Sequence, residues 1–145
     1  MANSFLATKI TTGQIFTEKG DMLVVTRLHT KELKADQVKV GTKVKVTGTA
    51  KGKGFQGVVR RHGFKGVAGR THGQSDRQRH PGSIGMRTTP GRVWKGHRMA
   101  GRMGGQTVSI RNLKIIGLDE KAQILTVSGT VPGPRYAKIT ITTYA

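Results

Sequence analysis

The residues with most chemistry to offer lie between Lys51 and Gln106. They are His62, His72, His80 and His97, the neighbours Ser75 and Asp76, a Gly-x-Gly-x-x-Gly run from Gly52 to Gly57, and nine arginines interleaved with Phe55, Phe64 and Trp94. Histidines ligate metals, but spacings of 10, 8 and 17 match no helical or zinc-finger pattern, and the chain has no cysteine to complete a site. They fit contacts with phosphates or bases better. Ser75, Asp76 and His72 or His80 make a triad on paper only, because no strained strand-to-helix turn presents the serine. The glycine run comes after a strand-like segment, as a dinucleotide fingerprint requires, and Asp76 has suitable spacing. The run leads, however, into Val-Val-Arg-Arg-His-Gly-Phe, and Asp76 stands among Arg70, Arg77 and Arg79. It reads better as a flexible turn that lets backbone approach phosphates. Arginines forking onto phosphate, glycines admitting close approach and aromatics offering stacking faces form the stronger constellation. It is the composition of an RNA-binding segment.

The charge balance agrees. The 145 residues hold 26 Lys+Arg against 7 Asp+Glu, a net charge of +19. Of this, residues 51–106 carry +12, from 13 cations and the single acid Asp76, together with 14 of the 21 glycines. The flanks carry +4 over 1–50 and +3 over 107–145. So concentrated a charge calls for a polyanionic partner. So few carboxylates leave little for acid–base catalysis or a divalent-metal site, and the lack of cysteine removes disulfides and thiol nucleophiles. No stretch approaches the roughly 18 apolar residues of a membrane span, and the N-terminal residues lack the order of a signal peptide. These features lead us to expect a soluble intracellular protein.

The elements that must hold this segment read as β structure. Gln14-Ile15-Phe16 and Met22 to Thr26 bracket a turn at 17–21, a predicted hairpin. Over 37–47, Val38, Val40, Val44 and Val46 share one parity and lysines the other, predicting a half-buried strand pair broken near Gly41. Val108 and Ile110, then Leu113 and Ile115, then 124–127, then Ile139 and Ile141 predict further strands. About six short strands and no helix give an all-β class, a small barrel or sandwich. The expected domains are a discontinuous one from 1–50 and 107–145 and a long excursion over 51–106, which shows no sustained period and is expected to be ordered mainly by what it binds.

In order along the chain, VTGTAKGKGFQGVVRRHGFKG (46–66), THG (71–73), HPGSIG (80–85), TPGRVWKGHRMAGRMGG (89–105) and VPGPR (131–135) closely resemble the universal ribosomal protein numbered three of the large subunit, in its bacterial form. KITTGQIFTEKG (9–20) is similar to that family's opening segment. The resemblance implies a six-stranded barrel with a long loop threading large-subunit rRNA towards the peptidyl-transferase centre. It implies a structural role in the cytoplasmic bacterial ribosome, in subunit assembly and in support of that centre. The implied partners are rRNA and neighbouring ribosomal proteins, with no enzyme activity, cofactor, metal, membrane or small-molecule substrate. Arg60, Arg61, Arg92, Lys95, Arg98 and Arg102 match basic positions of the family's rRNA-binding loop, and Trp94 falls where the family has an aromatic. With the composition, this makes Lys51, Lys53, His62, Lys65, Arg70, His72, Arg77, Arg79, His80, Arg87 and His97 the remaining candidate rRNA contacts. Gly82, Ser83, Ile84, Gly85, Met86, Arg87, Thr88 and Thr89 are the expected inner tip.

Three departures stand out. Met86 occupies the place of a glutamine that many bacterial members carry methylated, so that modification does not transfer. Thr11-Thr12-Gly13 replaces the usual Gly-Met-Thr, and the chain is short, with a peripheral segment expected to be missing between His29 and Lys34. A free-standing nucleic-acid or membrane-surface binder is the competing class. It would not need its charge concentrated in one motif-bearing loop, and the amphipathic basic helix of a membrane binder is absent from the sequence pattern.

Overall fold

A computed structural model describes residues 4–31, 38–67, 69 and 72–144. It divides into two compact units, one from 1–51 with 105–145 and the other from 52–104. Arg70 and the segment 32–37, which overlaps the expected place of the missing peripheral insertion, lie outside the described residues.

The first unit is a closed antiparallel barrel. Its strands are β1 (Ser4–Phe16), β2 (Met22–His29), β3 (Lys43–Thr49), β6 (Thr107–Asp119), β7 (Ile124–Ser128) and β8 (Lys138–Thr143), in the spatial order β1-β2-β7-β6-β3-β8. The expected six-stranded barrel is therefore the fold. Alternation fills it: Val44 and Val46 from β3, Leu125 and Val127 from β7, and Ile139 and Ile141 from β8 are all buried, joined by Ala7, Leu28 and Ile115. Fully burying such a side chain contributes about 1.5–3 kcal/mol, so this inner face supplies the main drive to fold.

Two long strands turn the corners. β1 pairs with β8 through Ser4–Thr8 and then with β2 through Thr8–Phe16, with a register shift between Lys9 and Thr11. β6 pairs with β3 and then β7, and its register shifts opposite Val44/Val46 and again between Ile115 and Gly117. At the first shift Asn112 has φ +61. A bulge inserts one residue, bends the strand and exchanges its faces. That is why the apolar positions change parity from 108/110 to 113/115.

The hairpin at 17–21 closes as predicted, with the Thr17 amide donating to Asp21 O at 2.9 Å and the Asp21 amide to Thr17 Oγ1 at 3.1 Å. The strand pair expected over 37–47 is corrected. Among the described residues there, only those from Lys43 onward belong to a strand, Lys43–Thr49, while the Thr42 amide donates to Lys39 O at 3.2 Å around Gly41. Val38 is buried, but Val40 sits in that turn and is exposed despite sharing its parity. The expectation of no helix is corrected too, since one short turn of helix forms in the second unit. No helix among the described residues is long and apolar enough to cross a membrane.

Candidate nucleic-acid interface

The second unit begins with a ladder of two three-residue strands. β4 (Gly54–Gln56) pairs with β5 (Gly101–Met103), and the Lys53 amide extends the ladder by donating to Met103 O at 2.9 Å. The Gly-x-Gly-x-x-Gly run is thus partly a strand, which corrects its reading as a flexible turn. The helix after it, α1 (Val58–His62), is five residues long and stops at Gly63, whose φ of +74 suits the left-handed end of a helix. Strand where a dinucleotide fingerprint has its turn, and helix of barely more than one turn, do not make a pyrophosphate cradle.

α1 presents Arg60, Arg61 and His62 in its last turn. Cations there complement the helix dipole, and two of them also fasten the returning chain. Arg61 Nη1 donates to Met99 O at 2.7 Å, and His62 Nε2 to the same oxygen at 3.0 Å. A Cβ on Gly101 would lie 2.6 Å from that guanidinium nitrogen, so glycine leaves room for it. Arg60 Nη1 reaches Gln56 Oε1 at 3.3 Å, and the Gln56 amide donates to Lys53 O. The His62 and Phe64 rings lie with centroids 6.0 Å apart, tilted by 44°.

Beyond this base the chain runs in turns. His80 Nε2 bonds to the backbone oxygen of Asp76 at 2.8 Å, not to its carboxylate, so the paper triad of Ser75, Asp76 and histidine has no hydrogen-bonded form. Gly66 passes so close to Arg79 that an added Cβ would meet Arg79 N at 3.0 Å. That crossing bounds a groove of about 430 Å³ lined by Phe64, Lys65, Gly66, Val67, His80, Pro81 and Gly82. Further on, Gly82, Ser83, Ile84, Gly85, Met86, Arg87, Thr88 and Thr89 are all exposed. Ser83 Oγ and Gly85 form a local turn, and a groove of about 200 Å³ opens beside Met86 and Arg87. Arg92 stacks over the Trp94 ring at 5.8 Å, and the His97 amide closes a turn onto Trp94 O.

The cations share one environment. Lys51, Lys53, Arg60, Lys65, His72, Arg77, Arg79, His80, Arg87, Arg92, Lys95, His97, Arg98 and Arg102 are exposed, and among the described ones only Arg61 and His62 are half-buried. Their hydrogen bonds, where they make them, go to carbonyl oxygens or to a side-chain amide, and never to a carboxylate among the described residues. Phe55 and Trp94 are exposed, so neither is spent on packing, and Phe64 is half-buried beside His62. Sequence reasoning missed the double anchor on Met99, because a carbonyl leaves no mark in the side-chain pattern. It also missed Arg135 and Tyr136 of the barrel, whose guanidinium and ring lie 5.1 Å apart. Their signal was the composition of VPGPRY, a basic and an aromatic residue side by side after two prolines.

A closed barrel that emits and recovers a cationic, acid-poor, aromatic-bearing excursion between two of its strands defines a class of barrel proteins with a long basic loop. The family model for ribosomal protein L3 matches residues 2–131. The chain belongs to the ribosomal protein L3 family. It is 48% identical over 134 residues to large ribosomal subunit protein uL3 of Chlorobaculum tepidum, covering 90% of this chain and 64% of that protein. It is 55% identical over 100 residues to uL3 of Herpetosiphon aurantiacus, covering 69% and 47%. With uL3 of Leptospira biflexa it is 55% identical over 108 residues, covering 74% and 51%. The chain thus spans roughly half to two thirds of the length of the curated relatives it matches.

Proposed function

We propose that this protein is a structural constituent of the large ribosomal subunit that binds large-subunit rRNA through residues 51–106. The observation that carries the reading is the segregation of charge: 13 cations and one acid in that segment, with the described cations nearly all exposed and none bonded to a carboxylate. Within it the cations neutralise and fork onto phosphates, Phe55 and Trp94 offer faces to bases, and backbone approaches the sugar-phosphate chain at the glycines. Residues 82–89 form the inner tip near the peptidyl-transferase centre, on the family resemblance. No residue performs chemistry. The protein braces folded rRNA, helps the subunit assemble alongside neighbouring ribosomal proteins, and resides in the cytoplasm with the ribosome.

Co-sedimentation tests this. Expressed in a bacterium, the protein should travel with large subunits in high-magnesium buffer. Recovery in the free-protein or membrane fraction at the top of the gradient would contradict the assignment and favour a free-standing polyanion binder.

A further inference from the structure

The loop between β7 and β8 is fastened by one lysine. Lys9 Nζ donates to Val131 O at 2.9 Å and to Gly133 O at 3.0 Å. Its amide donates to Ala137 O at 3.0 Å, and its carbonyl accepts from the Tyr136 amide at 2.7 Å. Gly133, at φ +90, is seated so closely that a Cβ would lie 2.8 Å from Ala137 Cβ and 3.0 Å from Thr49 O. The loop is therefore clamped against the end of β3. Burial first, and the nearby charge of Lys51 second, lower the Lys9 pKa, so a second cation stands close to the clamp.

The clamp holds an outlier. Tyr136 has φ +64, a left-handed conformation that glycine or asparagine adopts with less strain. A tyrosine placed there for packing would bury its ring, yet this one is 66% exposed. The Arg135 guanidinium carbon lies 5.1 Å from its centroid. A ring facing solvent from a fastened backbone, with a guanidinium against it, suits a nucleotide, offering a face for the base and a fork for its phosphate. Residues 129–138 contain no carboxylate, and Lys9, Lys51 and Arg135 are all positive, which favours a polyanion over an ordinary protein surface.

We propose that Arg135 and Tyr136 form a second RNA-docking site, on the barrel itself, that takes an unpaired rRNA nucleotide. The proposal rests on the rRNA-binding reading above. It adds a contact outside residues 51–106, so the barrel is more than a holder for the loop.

The test uses the full chain and deproteinised large-subunit rRNA. Tyr136→Asn removes the ring but tolerates the left-handed turn and keeps the charge. It should weaken binding about tenfold, the usual scale for one base–aromatic stack, with an unchanged salt slope and no loss of melting temperature. Tyr136→Phe keeps the ring and should bind like the parent. Arg135→Gln should make the slope of log K against log salt shallower by about one. Ultraviolet cross-linking should attach a nucleotide at Tyr136. If Tyr136→Asn binds like the parent, or Tyr136→Phe loses as much as Tyr136→Asn, the site is refuted while binding through 51–106 stands. A parent protein that does not bind rRNA at all would overturn both readings. If Tyr136→Asn keeps its RNA affinity yet no longer stays on assembled subunits, the ring meets a protein and the nucleotide assignment is overturned.

Discussion

The barrel and the excursion are built on opposite rules. The barrel buries a core drawn from all six strands and shares their hydrogen bonds in a closed ring. Among its described residues the excursion exposes most of those past Phe64 and has one ladder of three residue pairs, one turn of helix and two side chains anchored on a single carbonyl. Burial can specify the first alone. Among the described residues of the second only Val58 is buried, and on the function proposed above its exposed cations are the groups a polyanion would pair with. In one chain, then, one unit holds nearly all the buried side chains and the other exposes nearly all of its described cations.

Substitutions should separate the two. Replacing the exposed Arg87, Arg92, Lys95, Arg98 and Arg102 together by glutamine should have the largest effect. Each neutralised phosphate contributes about 0.7–0.9 to the salt slope, so affinity for rRNA near roughly 0.1 M salt should fall by about four orders of magnitude. The melting temperature should stay within about 2 °C of the parent, because all five side chains are exposed. Filter binding and calorimetry on the same preparation would show both halves. A large fall in melting temperature with this variant would break the separation.

The converse is Leu125→Ala. Leu125 is fully buried on β7 opposite Leu28 and Leu118, and its truncation should cost about 2–5 kcal/mol in chemical denaturation. At temperatures where the barrel stays folded, the salt slope of RNA binding should not change. A changed slope would mean that the units are not independent in the way their chemistry suggests.

These two units are legible in the sequence to different degrees. Period-2 alternation reveals the barrel strands because a strand with one buried face must write its burial into every second residue. It fails at Val40, where the chain turns around Gly41 and parity loses its meaning. Nor can it show why parity changes after Ile110, since a bulge at Asn112 is a backbone event. The charged segment is legible as composition and as motif, but not as geometry. Arg61 and His62 look like two more phosphate ligands, yet in the free protein they hold Met99 O. The glycine run looks like a loop, although Gly54, Phe55 and Gln56 pair in a strand. Backbone carbonyls as partners, and glycines serving a ladder, are invisible to residue-type patterns.

The smallest expected effect sharpens the comparison from inside the barrel. Burial and Lys51 hold the Lys9 pKa below its ordinary 10.5. Between that lowered value and 10.5 the unfolded chain binds more protons than the folded one, so stability should rise with pH through this window. Below the window the cost of keeping the partly buried ammonium charged is complete. Lys9→Met should flatten the rise relative to the parent in denaturant titrations run at increasing pH, although it lowers stability overall by leaving two carbonyls without their donor. An equally steep rise in both proteins would show that Lys9 does not carry it.

The salt dependence of binding tests the central claim most directly. If roughly 8–10 cations of residues 51–106 each engage a phosphate, log K for rRNA against log salt should have a slope of about −6 to −9 for the full chain. A slope shallower than about −3 would contradict the account, because the charge gathered in that segment would then be engaging something other than the phosphates of RNA.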